Sequence, residues 1–354
     1  MIEGLGRVLE SHGQPGLTEL RGLLQELLGG PEAQGRLIDE QTLQPRALRV
    51  FRLRFVIHGQ TRQVIVKRLK PEVGRRSELV AKRWLPAVAM GGNGPALLGS
   101  IAEPAGSCVW HVYDDLGPCE LDVTCIDREK VSAAIKLVAR LHMQFARHAL
   151  LGEVRLHGCD LGIHFYAANV RDAIYALEAC QPSPQQAPLR DHLLQRLSRL
   201  RQELPQRAQA LETWGGPETL LHGDLWHINI FVIPTHNGLH VRLIDWDHAS
   251  VGPASYDLST FLLRLPLRER SWVLDVYRDE TSCAGWCLPP PQTLNLLFET
   301  AEYARLANRI IWPAIALVQD RATWAWDSLA EIDQWFADLA PVLPCENEML
   351  DVAS

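Results

Sequence analysis

The chain has 354 residues, 47% of them hydrophobic and 22% charged, a globular composition that excludes wholesale disorder or a fibrous repeat. Lys and Arg number 35 against 42 Asp and Glu, a formal net charge of −7, which disfavours sequence-independent binding to nucleic acid; no nucleic-acid partner is expected. The length fits two domains or one large unit of two lobes.

The first residues lack the basic and apolar regions of a secretory signal, and no run approaches the roughly 18 apolar residues of a membrane span. The eight cysteines form no CxxC pair and read as reduced thiols, so a cytoplasmic protein with no membrane partner is expected. Residues 3–29 carry apolar residues at helical spacing, broken at Gly13–Gly16, which predicts two short helices within 1–30. Residues 47–57 and 61–69 alternate apolar and polar residues around His58-Gly59-Gln60, the pattern of a β-hairpin. A helix is predicted over 75–90, closed by Gly91–Pro95, then strands at Ala96–Ile101 and Val109–Tyr113.

After Asp114-Asp115-Leu116-Gly117-Pro118 helical periodicity dominates, over 127–147, 163–179, 188–212 and, with interruptions, 293–339. One strand-rich insertion, 219–245, sits among these helices. The expected architecture is therefore α+β: a small β-rich part over 1–116 and a larger helical part over 117–354.

The insertion carries the chemistry. His222-Gly223-Asp224 is followed by Asn229, five residues past the aspartate, and then by Ile244-Asp245-Trp246 and Gly252-Pro253-Ala254-Ser255-Tyr256-Asp257-Leu258. Asp224, Asn229 and Asp245 offer one carboxylate to accept a proton and two oxygen side chains to hold a hard cation. Phosphoryl transfer asks for that set. Asp247 reads either as a second acidic contact or as a solvated loop residue. The glycine-rich GxxxxGK[ST], the GxSxG elbow and the HExxH helix are all absent from the sequence.

This series of motifs resembles the aminoglycoside phosphotransferase and choline kinase family, which has a bilobal protein-kinase-like fold. The resemblance implies Asp224 as catalytic base, Asn229 and Asp245 as metal ligands, and His222 and Asp257 as supports of the catalytic loop. Ile228 stands where members usually carry a small residue, and Trp226-His227 replaces a more frequent His-Pro pair. It further implies ATP and Mg2+ as cofactors and a nucleotide-binding N-terminal lobe. Only five lysines occur, none after Lys136, and Lys67 in the second hairpin strand takes the position that orients nucleotide phosphates. Its partner on the following helix would be Glu78, with Glu72 as second choice. The segment that bonds adenine through its backbone would be Tyr113–Leu116, so that Asp114, Asp115 and Leu116 border the nucleotide. Asp39–Gln44, which has no glycine, is expected as the loop over the phosphates.

The resemblance implies a small-molecule acceptor hydroxyl. Residues 292–340 hold seven acidic groups against three basic ones, and Trp312, Asp320, Trp324 and Asp327 could share one helix face, which favours a cationic acceptor such as an aminoglycoside or amino-alcohol. A kinase of the same fold acting on a sugar, an amino acid or a protein is the alternative. Readings of another class are a nucleotide-binding pseudokinase and a metal-dependent hydrolase built on His222, Asp224, His227, Asp245, Asp247 and His248.

Overall fold

The computed structural model describes residues 2–4, 14–29, 35–43 and 49–344. In chain order its main elements begin with β1 (Ile2–Glu3), α1 (Leu17–Leu27), β2 (Gly35–Thr42), β3 (Val50–Ile57), β4 (Gln60–Leu69), α2 (Pro71–Leu79), β5 (Leu97–Ala102) and β6 (Val109–Asp114). Next come α3 (Arg128–Phe145), α4 (Leu151–His157), α5 (Ile163–Ala179), α6 (Ala187–Gln202), α7 (Leu204–Trp214) and β7 (Glu218–Leu221). The remainder is β8 (Ile230–Thr235), β9 (Gly238–Leu243), β10 (Ser250–Pro253), α8 (Ser255–Leu263), α9 (Leu267–Ser282), α10 (Pro291–Asp320) and α11 (Trp324–Asp338). They fall into two compact units, one of Met1–Leu121 with Ile228–His248, the other of Asp122–His227 with Ala249–Ser354.

In the first unit six strands form one sheet in the order β1-β2-β3-β4-β6-β5, antiparallel except for the β1–β2 pair. Phe51, Leu53, Phe55 and Ile57 alternate along β3 and are buried, as are Val64 and Val66 on β4; α1 covers this face with Leu20 and Leu24. One heptad-like stripe on one helix and one face of each strand thus close a core. The β3–β4 connection is two residues long, His58 and Gly59, both at positive φ (49° and 78°), the backbone that a tight hairpin with the right twist demands. Lys67 is on the face of β4 opposite to Val64 and Val66, which leaves its ammonium outside this core.

α2 runs into a single widened turn, Val80–Trp84, where the Leu85 amide bonds to the Val80 carbonyl five residues back. Pro86 follows, with no N–H to continue the ordinary ladder, and this accounts for the widening.

The second unit is helical. α3 is capped by Asp127, whose carboxylate accepts from the Glu129 and Lys130 amides at 3.0 and 3.3 Å. Its buried stripe includes Val131, Ile135, Val138, Leu141, His142 and Phe145. A second core joins α5, α6, α10 and α11 through Val170, Ile174, Leu193, Ala307, Ile310 and Phe336. β7 and β10 pair antiparallel, and Gly252 lies against the chain at Leu161: a Cβ there would stand 2.9 Å from Leu221 Cδ1 and 3.3 Å from the Leu161 carbonyl carbon.

Several expectations need correction. Residues 39–42 are not a loop but the second half of β2, paired with Phe51–Arg54 of β3; the connection follows at 43–49, of which 44–48 lie outside the described residues. The first of the two short N-terminal helices, expected from residue 3 to the break at Gly13, lies outside them over residues 5–12, and Glu3 belongs to β1. Residues 188–212 form two helices, because Pro205 opens a new one at α7. The 219–245 segment is divided: β7 pairs with β10 in the helical unit, while the β8–β9 hairpin belongs to the β-rich unit.

Candidate active site

Lys67 organises the site within the β-rich unit. Its Nζ donates to Asp245 Oδ1 at 2.7 Å and to Asp247 Oδ2 at 2.8 Å. The chain reaches this arrangement by a sharp turn after β9. Asp245 takes a left-handed conformation (φ 61°), Trp246–His248 form one short helical turn, and buried Trp246 anchors it by donating from Nε1 to the Leu243 carbonyl at 2.9 Å. Asp is among the few residues that adopt that backbone at modest cost. From α2, Arg76 donates to the Asp247 carbonyl at 2.7 Å and Ser77 Oγ lies 3.4 Å from Asp247 Oδ1.

Asn229 is buried at the start of β8, and its carbonyl accepts from the Ile244 amide at 2.9 Å, which fixes it beside the residue preceding Asp245. Asn229, Asp245 and Asp247 together supply only oxygen donors. That set suits magnesium, which takes one or two carboxylates and leaves its other positions to water and phosphate oxygens. Among the described residues no group of three or more His, Cys, Asp and Glu side chains gathers to hold a metal.

Burial and ion pairing pull on these groups in opposite directions. Burial is the largest influence on the Lys67 ammonium and opposes its charge, but the attraction and hydrogen bonds of Asp245 and Asp247 outweigh it, and its pKa is raised. Burial, then the neighbouring Asp245 charge, push the Asp247 carboxyl up, against the pull of Lys67.

The helical unit holds the other half of the motif. Gly223 stands at φ 82°, a conformation that favours glycine, between His222 and Asp224. The Asp257 carboxylate, fully buried on α8, accepts from the His222 amide at 2.7 Å and the Gly223 amide at 2.9 Å, so it grips the backbone immediately before Asp224. It also lies 3.4 Å from Nε2 of buried His142, whose Nδ1 is 3.0 Å from the Tyr277 hydroxyl. Burial alone would raise the Asp257 pKa; the bond and charge of His142, with His222 and the Gly223 amide, reverse this and lower it. Asp224 itself is half-buried, and its carbonyl accepts from the Trp226 amide at 2.9 Å. The Arg264 guanidinium lies 3.4 Å above the Trp226 ring. Burial lowers its pKa, while Glu302 and Asp224 favour its charged form.

The structure thus brings Lys67 to Asp245, and His222 to Asp257. It does not pair Lys67 with Glu78. Glu78 Oε1 accepts from Lys82 Nζ at 2.6 Å and lies 3.4 Å from Ser100 Oγ. Lys82 is one helical turn away and reaches Glu78 without crossing the sheet, while Lys67 meets two carboxylates from the β9 turn. Asp114 ends β6 and its amide donates to the Ala96 carbonyl at 2.9 Å. The Asp115 side chain is only 5% exposed and is taken up by the Arg52 guanidinium at 2.7 Å and the Gly117 amide at 3.0 Å, which leaves its backbone rather than its carboxylate for any ligand. Leu116 follows, half-buried. Asp247, Arg76 and Ser77 join the Lys67 cluster, and His142 and Arg264 the segment around Asp224, without a sequence motif of their own; only Asp247, two residues past Asp245, carried a signal.

His111 pairs with Lys67 across β4 and β6 and is fully buried, with Nδ1 2.8 Å from the Tyr113 hydroxyl. Burial lowers its pKa from 6.5 to about 4; nearby Glu78 opposes this, and Lys67 and Lys82 add to it. The unfolded chain therefore takes up a proton below pH 6.5 that the native state refuses until about pH 4. The stabilisation is complete above pH 6.5 and is lost as the pH falls toward 4. Between pH 7 and 4.5 the wild type should lose about 2 kcal/mol more than His111→Gln in urea unfolding; parallel losses would contradict the depressed pKa.

Comparison with known proteins bears on the family and the fold. The model of the phosphotransferase enzyme family (APH) matches residues 50–287. Among solved structures, a spectinomycin phosphotransferase determined with ADP and spectinomycin superposes with a TM-score of 0.55 at 11% identity, covering 92% of this chain and 95% of that one. An ethanolamine kinase from Plasmodium vivax gives 0.53 at 12% identity, over 85% and 81% of the two chains. A macrolide 2'-phosphotransferase from Brachybacterium faecium gives 0.52 at 16%, over 84% and 91%. At these identities the likeness is one of fold, a kinase-like β-sheet region followed by a mostly helical remainder. No curated protein matches the chain. No helix among the described residues is long and apolar enough to cross a membrane. The family match spans both the β3–β4 hairpin that carries Lys67 and the motifs from His222 to Leu258, and by it the chain belongs to the phosphotransferase enzyme family.

Proposed function

We propose that the chain transfers the γ-phosphoryl group of ATP to a hydroxyl of a small, cationic acceptor, with Asp224 as the base that accepts the hydroxyl proton. The observation that carries this reading is the pair of carboxylates, Asp245 and Asp247, held on Lys67 next to buried Asn229. Asn229 and Asp245 would hold magnesium, which neutralises charge on the phosphates when bound. Lys67 would orient those phosphates, and the backbone of Asp114, Asp115 and Leu116 would border the adenine. Asp257 and His222 position Asp224 by fixing the loop before it, as their hydrogen bonds support.

A positive charge on the acceptor is supported by the C-terminal helices. Three of their seven acidic residues are neutralised internally: Glu299 by Arg207, Glu302 by Arg305, and Asp333 by Arg196. Asp320, Asp327, Glu331 and Asp338 carry no ion pair among the described residues, and Trp312 and Trp324 are 65% and 49% exposed rather than used in the core. The expected single helix face is not formed, because Arg321 turns the chain at φ 51° and leaves Trp312 and Asp320 on α10 but Trp324 and Asp327 on α11; exposed aromatic rings and carboxylates without an ion pair on both helices still favour amines. A coupled ADP-release assay with Mg·ATP tests the reading on panels of aminoglycosides, amino-alcohols and neutral sugars. Acceptor-dependent turnover with at least one amine is expected; turnover on neutral sugars alone would overturn the cationic assignment, and none on any hydroxyl acceptor would overturn the function.

A further inference from the structure

Arg52 of β3 has no part in the phosphotransfer reading so far. β3 is two strands away from β6, with β4 between them. Phe51 and Leu53 are buried in the core beneath α1, so Arg52 is on the opposite face of the sheet, the face that carries Lys67. Arg52 pairs with Ile65 and Ile65 with Tyr113, so one row runs from Arg52 across β4 to the end of β6. Beyond that end the guanidinium meets Asp115: Nη2 donates to Oδ1 at 3.3 Å and Nε stands 2.7 Å from Oδ2. On its other side Nη1 donates to Gln41 Oε1 of β2 at 3.3 Å.

The pair is built unlike an ordinary surface ion pair, in which both partners face water. Asp115 is nearly buried, and its carboxylate also accepts from the Gly117 amide at 3.0 Å, where the chain turns at φ 69°. Gln63 of β4 adds a third donor: with its amide nitrogen toward Asp115 and its oxygen toward Arg54, it bridges the two at 3.0 and 3.2 Å. Residues 115–117 belong to no helix or strand. Among the described residues no backbone hydrogen bond reaches the amide or the carbonyl of half-buried Leu116. A carboxylate gripped from β3 and β4 therefore fixes a stretch that the sheet ladder does not, next to backbone groups left open to a ligand.

We propose that Arg52 is a positioning residue for the nucleotide: by gripping Asp115 it holds the Leu116 backbone ready to hydrogen-bond the purine ring. The role rests on the reading that Asp114, Asp115 and Leu116 border the adenine. A stretch fixed before the ligand arrives does not lose its conformational freedom on binding, and that saving appears as affinity for the base. The planar guanidinium suits the task because it faces both carboxylate oxygens at once, which an ammonium does not. Arg52 thus acts on the base, and Lys67, in the reading above, on the phosphates.

Isothermal titration of the full chain with Mg·ATP and with adenosine tests this. Arg52→Met should weaken both ligands by the same factor, about tenfold, whereas Lys67→Met should weaken Mg·ATP and leave adenosine unchanged. Asp115→Ala removes the carboxylate and leaves no buried charge, so it decides the matter if Arg52→Met does not fold. It should reproduce the same loss, and the double variant should lose about tenfold rather than a hundredfold. In the ADP-release assay the KM for ATP should rise with the dissociation constant, while kcat and the acceptor KM stay within about twofold of wild type. Variants that bind adenosine like the wild type, a loss confined to Mg·ATP, a hundredfold loss in the double variant, or a parallel fall in kcat would overturn the role of Arg52 and leave the nucleotide reading standing. A wild type that binds neither Mg·ATP nor adenosine would overturn both, and one that binds Mg·ATP but not adenosine would leave no base contact to position and overturn the role of Arg52.

Discussion

Asp224→Ala should reduce acceptor phosphorylation by about 10³-fold while the dissociation constant for Mg·ATP stays within about threefold of wild type. Asp224 is the carboxylate of the loop that Asp257 holds by two backbone amides in the helical unit, whereas Lys67, Asp245 and Asp247 form their cluster within the β-rich unit. Loss of a general base removes proton transfer from the acceptor hydroxyl and leaves charge neutralisation of the nucleotide untouched. Asp224→Asn preserves the shape of the loop and removes only the basicity, so it should be nearly as inactive. Near-native turnover in either variant would exclude the base role, and a parallel loss of nucleotide binding would place Asp224 on the nucleotide instead.

Asp245→Asn should have the opposite signature. It keeps the side-chain volume at a position of left-handed backbone that asparagine also accepts, so the fold should persist. It removes one of the two carboxylates bonded to Lys67 and one of the oxygen ligands assigned to magnesium. The dissociation constant for Mg·ATP should rise at least about tenfold, while ATP in the presence of chelator should bind the variant and the wild type alike. Equal Mg·ATP affinities would remove Asp245 from the metal site. The same variant should lower the Lys67 pKa, since Asp245 is the leading influence that raises it.

The two halves of the motif were readable because each lies in one short stretch of chain. Asp224 with Asn229, Asp245 with Trp246, and Gly252 with Asp257 are set by local spacing, and Gly252 is required by packing against Leu161. The β3–β4 hairpin was readable for the same reason, because a strict alternation of buried residues meets a two-residue turn. The strand β2 was not. Its sequence, GRLIDEQT, is polar, it buries little, and an irregularity between Leu37 and Asp39 breaks the alternation that marks a strand.

The partner of Lys67 was missed for a different reason. A glutamate on the next helix looked near in the chain, but Lys67 meets Asp245 across 178 residues and Asp247 across 180, while Glu78 is satisfied by Lys82 one turn away. His142 shows the same limit. On its helix it is one buried residue in an amphipathic stripe, and only the fold brings it to Asp257, 115 residues on. Local pattern specifies elements and motifs; long-range ion pairs depend on how those elements pack.

The central claim, a magnesium-nucleotide site built on Lys67, Asn229 and Asp245, is tested most directly by thermal unfolding of the whole chain with Mg·ATP, with ATP and chelator, and with magnesium alone. At about 100 times its dissociation constant Mg·ATP should stabilise the native state by about 2.7 kcal/mol, read as an upward shift of Tm, and neither component alone should match it. No shift with Mg·ATP, or an equal shift from a divalent metal without nucleotide, would contradict the account.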